Sequence, residues 1–125
     1  MNLGDSFLNH NPGSYAHLWI VASNPSLDGS RVIFNVTTWH DGCDESCILQ
    51  AGDHPFVHHT SFIAYRRGQL LLSQALEIMQ KMGYYQQMPP VSRELLYRIQ
   101  SGALKSDFTA QRLQKLVRES MIEPP

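Results

Sequence analysis

The apolar residues of this 125-residue chain change their spacing once, near residue 68, and that change limits the folds open to it. Before it, short runs rich in branched and aromatic side chains are separated by Gly, Pro, Asn and Asp. After it, apolar residues recur at intervals of three and four. Short runs between turn residues are strand signals, and threes and fours are the period of a helix with one buried face. A chain of strands followed by helices gives an α+β domain.

In the first half, His17-Leu18-Trp19-Ile20-Val21-Ala22 reads as a strand, and Asn24-Pro25-Ser26-Leu27-Asp28-Gly29-Ser30 as the turn after it. The return strand, Arg31 to Thr38, is mostly continuous in apolar character, the pattern of a central strand covered on both faces. Cys47-Ile48-Leu49 and Ser61-Phe62-Ile63-Ala64-Tyr65 predict two further short strands around a Gly52-Asp53 turn. Short strands joined by turns at this spacing predict a small barrel over about residues 4–67.

The second half predicts three helices. Leu72, Leu76 and Met79, with Leu71, Ala75, Ile78 and Met82, give a helix over 69–83 with Gly83 as its stop. Pro89-Pro90 interrupts the chain before Ser92, which suits the N-cap of a helix over 92–102. Ser106 precedes a third helix, over 106–120, with Phe108, Leu113, Leu116 and Val117 inside and Arg112, Lys115 and Arg118 outside.

At this length the chain is one domain. Its net charge of −1 conceals a division. Residues 1–65 carry six acids and one base, a net −5, whereas residues 66–125 carry nine bases and five acids, a net +4. Phosphate attraction therefore belongs to the second half. No apolar run approaches the length of a membrane span, and the first residues lack the pattern of a signal peptide, so a cytoplasmic location is expected. Cys43 and Cys47, four residues apart in an acidic loop, read as free thiols, with a disulfide or a metal site as the alternatives.

The order Gly4-Asp5, the strand His17 to Ser23, the turn at Asn24-Pro25 and the strand Val32 to Thr38 resembles the plasmid-maintenance toxins of the PemK/MazF type. The resemblance covers roughly the first 65 residues. It implies an SH3-like β-barrel with appended helices and a homodimer. In the family's active members it also implies a metal-independent endoribonuclease that cuts single-stranded RNA and is silenced by an antitoxin. Where the toxins carry an arginine before the first of these strands, this chain has His17. Thr37 and Thr38 match the Ser or Thr that closes the following strand. The segment Cys47-Ile48-Leu49 with Gly52-Asp53-His54-Pro55-Phe56 is outside the usual toxin pattern and looks like the mark of a divergent bacterial or phage subgroup.

All six histidines lie before residue 60, and imidazoles titrate near neutral pH. Cleavage by the RNA's own 2′-hydroxyl needs one group to take a proton and another to give one, and His17 and His54 are the candidates. Thr38 joins them as a ligand for a phosphate oxygen. Thr37, Trp39, Arg66 and Arg67 are the candidate substrate-binding residues, with the arginines balancing charge and Trp39 stacking on a base. The other reading makes His17 and His54 structural hydrogen-bonding groups. It also makes the domain a barrel that has lost the nuclease site and binds a protein or peptide, such as an antitoxin.

No cofactor or metal is expected. His54 and His58 share a face of an extended strand but stand four residues apart at about 3.3 Å each, too far for one zinc ion.

Overall fold

In the computed structural model, residues 1–13 and 15–125 are described. The longest strand, β3 (Arg31–Thr38), organises the sheet. Along one edge it pairs antiparallel with β2 (His17–Val21), with Leu18 opposite Val36 and Val21 opposite Ile33. Along its other edge it pairs with two short strands in turn. Thr38 to Val36 meet β5 (Ser61–Ile63), and Ile33 to Arg31 meet β6 (Gln69–Leu71). A single 3-10 turn, Tyr65–Arg67, joins those two strands.

β4 (Ile48–Leu49) adds to β5. At the other side β1 (Ser6–Asn9) lies between β2 and β7 (Tyr85–Met88), giving a seven-stranded antiparallel sheet. Three helices, α1 (Ser73–Lys81), α2 (Arg93–Lys105) and α3 (Gln111–Glu119), complete the α+β architecture.

Alternation along the strands divides the buried side chains into two layers. Leu18, Ile20, Val32 and Phe34 face α2 and α3 and pack with Leu95, Ile99, Ala103, Leu113 and Val117. Trp19, Val21, Ile33 and Phe7 face the other way and are covered more thinly by Ala75, Leu76 and Met79 of α1. β3 thus has apolar residues on both faces, as its continuous pattern predicts.

Polar groups tie the helices to the sheet. Gln100 is fully buried, donates from Nε2 to the Ala22 and Ser120 carbonyls, and accepts from the Ile122 amide. Tyr65 packs edge-on to Phe34 and donates its hydroxyl to the Ile99 carbonyl at 2.7 Å.

Four expectations need correction. The sheet does not end at about residue 67, because β7 (Tyr85–Met88) joins it along the edge of β1. Residues 69–71 form β6, because the free edge of β3 offers hydrogen bonds there, and the first helix begins only at Ser73. The third helix begins at Gln111 rather than Ser106. The Ser106 side chain accepts the Phe108 amide instead, in a turn that leaves Phe108 47% exposed. The second helix runs on to Lys105, past Gly102, because that glycine sits inside the helix against Tyr65. No helix among the described residues is long and apolar enough to cross a membrane.

Candidate functional site

The predicted site residues divide between separate places. Thr37 and Thr38 are neighbours on β3, so their side chains leave opposite faces of the sheet. Thr37 lines a cleft of about 250 Å³ together with His40, Cys43, Asp44, Arg66 and Arg67, with Phe62 and Phe108 among its apolar walls. Thr38 instead lines a second depression, of about 240 Å³, beside His58 and His59. His17 stands opposite Asn9 at the start of β2 and does not line the first cleft. Trp39 is 39% exposed and donates its indole N–H to Glu45, again outside that cleft.

His54 is the clearest departure from expectation. It is 2% exposed, and both ring nitrogens have protein partners. Nδ1 accepts the Phe56 amide at 3.0 Å, so the neutral ring carries its hydrogen on Nε2, which faces Ser6 Oγ at 2.9 Å and the Pro89 carbonyl at 3.0 Å. Burial pushes this imidazole below its ordinary pKa, although the Pro89 bond opposes the shift. A ring closed in this way joins three chain segments and has no nitrogen to offer a substrate. The acid–base pairing of His17 with His54 and Thr38 is therefore not assembled.

Asp53 follows the turn reading. Its carboxylate accepts the Gln50 amide at 2.9 Å and pairs with Arg98 at 3.0 Å.

The first cleft is built where the end of β3, the loop after it and the 3-10 turn meet. His40 to Cys43 form a turn closed by the Cys43 amide on the His40 carbonyl at 3.1 Å, and Gly42 supplies the positive φ of 82°. His40 Nδ1 lies 3.0 Å from the Asp41 carbonyl, which can only accept, so Nδ1 carries the hydrogen of the neutral ring. The ring stands edge-on to Phe62, with centroids 5.5 Å apart and planes at 83°.

Also lining the cleft, Arg66 lies over the Phe108 ring, 4.3 Å from its centroid, in cation–π contact. Arg66 and Arg67 are exposed, and among the described residues neither guanidinium forms an ion pair. The Thr37 hydroxyl is shielded from solvent and has no hydrogen-bond partner among the described residues.

Asp44 is the acid in this cleft, and its oxygens are occupied. They accept from the Ser46 amide, the Ser46 hydroxyl and the Ser106 hydroxyl. Burial raises its pKa, but those bonds and the charge of Arg66 outweigh it and hold the carboxyl below the usual range. With one carboxylate against two guanidinium groups, the charged side chains of the cleft sum to a net positive charge. The cleft thus escapes the acidic balance of the first 65 residues.

Neither a protein-family model, nor a curated protein, nor a solved structure matches the chain.

Cys43 and Cys47 are both free thiols, half-buried and buried respectively. Among the described residues no group of three or more His, Cys, Asp or Glu is placed to hold a metal ion.

Thr37, Arg66 and Arg67, three of the four substrate-binding candidates, thus line one cleft, and His40, which is not among the candidates, lines it with them.

Proposed function

We propose that this chain is a divergent domain of the PemK/MazF kind, with an SH3-like barrel built on β3, that holds a phosphodiester of single-stranded RNA in the Thr37 cleft and cleaves it without metal. One observation carries the reading: Thr37, from the end of β3, shares a cleft with Arg66 and Arg67. In the family an arginine and a Ser or Thr act together on RNA. Here His17 stands in place of that arginine, and the pair at 66 and 67 supplies cationic charge to Thr37 from another part of the chain. Guanidinium groups fit phosphate oxygens as bidentate donors and oppose the charge that builds on them during cleavage. The run of β5, 3-10 turn and β6 along one edge of β3 supports the barrel. A toxin–antitoxin setting, an antitoxin-like partner and a homodimer belong to the same reading.

A second reading, a barrel that binds a protein or peptide and has no nuclease site, is favoured by the enclosure of His54. Incubation with end-labelled single-stranded RNA in the presence of a chelator separates the two. The nuclease reading expects fragments, and it expects an Arg66→Gln/Arg67→Gln variant to bind the RNA about ten-fold more weakly, a loss of about 1.4 kcal/mol. Intact RNA together with recovery of a defined protein partner supports the second reading. Absence of both binding and cleavage removes RNA as the ligand.

A further inference from the structure

We infer that His40 is the proton acceptor of the Thr37 cleft, the role that neither His17 nor His54 is placed to fill. The inference rests on the nuclease reading of that cleft. Among the histidines, only His40 lines it.

Three contacts hold the ring. The turn to Cys43 fixes the backbone, the Asp41 carbonyl fixes the hydrogen on Nδ1, and Phe62 fixes the plane. The remaining nitrogen, Nε2, is the lone-pair atom of the neutral ring and has no protein partner among the described residues. This is the arrangement of a general base whose tautomer is set by a bond to its other nitrogen.

The other titratable groups on the cleft are worse placed for the task. Asp44 accepts three hydrogen bonds and is held ionised, which makes it a weak base. Arg66 and Arg67 have no lone pair to offer. Cys43 is half-buried at the far end of the turn that His40 begins.

The step balances without a co-reactant. Nε2 takes the proton of the ribose 2′-hydroxyl as that oxygen attacks phosphorus. The bond from phosphorus to the 5′-oxygen breaks, and the departing oxygen takes a proton from water. The hydroxide so formed is neutralised by the proton that His40 releases. The products are a 2′,3′-cyclic phosphate and a free 5′-hydroxyl, with Arg66 and Arg67 opposing the charge on the phosphate oxygens meanwhile.

The test uses the full chain and a labelled single-stranded oligoribonucleotide. His40→Gln is expected to bind that RNA within about two-fold of wild type and to cut it about a hundred-fold more slowly or worse, the range lost with a general base. Imidazole added to the buffer is expected to restore part of the rate to His40→Ala, a response that a merely structural histidine would not give. His58→Gln, in the other depression, serves as the control and keeps the wild-type rate.

Equal cutting by wild type and His40→Gln overturns the role of His40 and leaves the nuclease reading standing. RNA left intact by the wild type overturns the nuclease reading, and His40 with it. If His40→Gln fails to fold by circular dichroism, the imidazole response of His40→Ala decides, and its absence there overturns the role.

Discussion

His54 Nε2 and Ser6 Oγ lie 2.9 Å apart, although 48 residues separate them in the chain. Both also reach the Pro89 carbonyl, Ser6 at 2.6 Å and His54 at 3.0 Å, so one buried contact joins β1, the Gly52-Asp53 loop and the chain after β7.

This contact predicts a pH dependence of stability. Burial lowers the folded-state pKa of His54, so the unfolded chain binds its proton first as pH falls. The contribution is complete above the ordinary imidazole value, about 6.5, and is lost progressively below it, at no more than about 1.4 kcal/mol per pH unit. Denaturant unfolding of wild type and His54→Gln between pH 8 and pH 5 tests this. The wild type is expected to lose more stability over that range, and parallel curves would contradict the role given to His54.

Gly102 faces Tyr65 so closely that a Cβ there would collide with the tyrosine hydroxyl and stand 3.0 Å from the Ser46 carbonyl. Gly102→Ala should therefore cost about 1–3 kcal/mol despite alanine's better helix propensity. Thermal unfolding gives the sign directly, and a stabilised variant would mean that α2 packs on Tyr65 differently.

The two thiols should react at different rates. Burial pushes the Cys47 thiol up to about 11, with Arg98 opposing the shift, whereas Cys43 is half-buried on the rim of the cleft. At pH 8 a thiol reagent is expected to label Cys43 quickly and Cys47 only on unfolding. Cys43→Ser should remove the fast phase, and a bulky label at Cys43 should weaken RNA binding.

Salt should separate phosphate binding from other modes. On single strands each phosphate contact adds about 0.7 to the slope of log affinity against log salt. The Arg66→Gln/Arg67→Gln variant is expected to flatten that slope by about 1.4. An unchanged slope in anisotropy titrations would mean that these arginines do not touch the backbone of the RNA.

Fold class was legible because the apolar period changes near residue 68: five of the seven strands lie before that point and all three helices after it, while β6 and β7 depart from the pattern. Trp19, inside the apolar run of β2, is core at 8% exposed. β7 was not legible. Tyr85-Gln86-Gln87-Met88 has exposed glutamines at its centre and is a strand because β1 offers an edge, a tertiary cause that local pattern does not carry.

The candidate cleft was half legible. Arg66, Arg67 and Thr37 were named, but their meeting depends on the 3-10 turn that carries residues 65–67 past the middle of β3, between its pairings with β5 and β6. His54 misled because a histidine after a turn looks available in sequence. Its enclosure depends on Ser6 and Pro89, both distant in the chain.

The cleft at Thr37, Arg66 and Arg67 is proposed to hold single-stranded RNA, and NMR chemical-shift mapping reads that contact residue by residue. Titration of labelled protein with a short oligoribonucleotide is expected to move the amides of Thr37, His40, Cys43, Arg66 and Arg67 first and furthest, and to leave those around His58 and His59 in place. Shifts confined to the His58 and His59 depression or to α3, or no shifts at all, would contradict it.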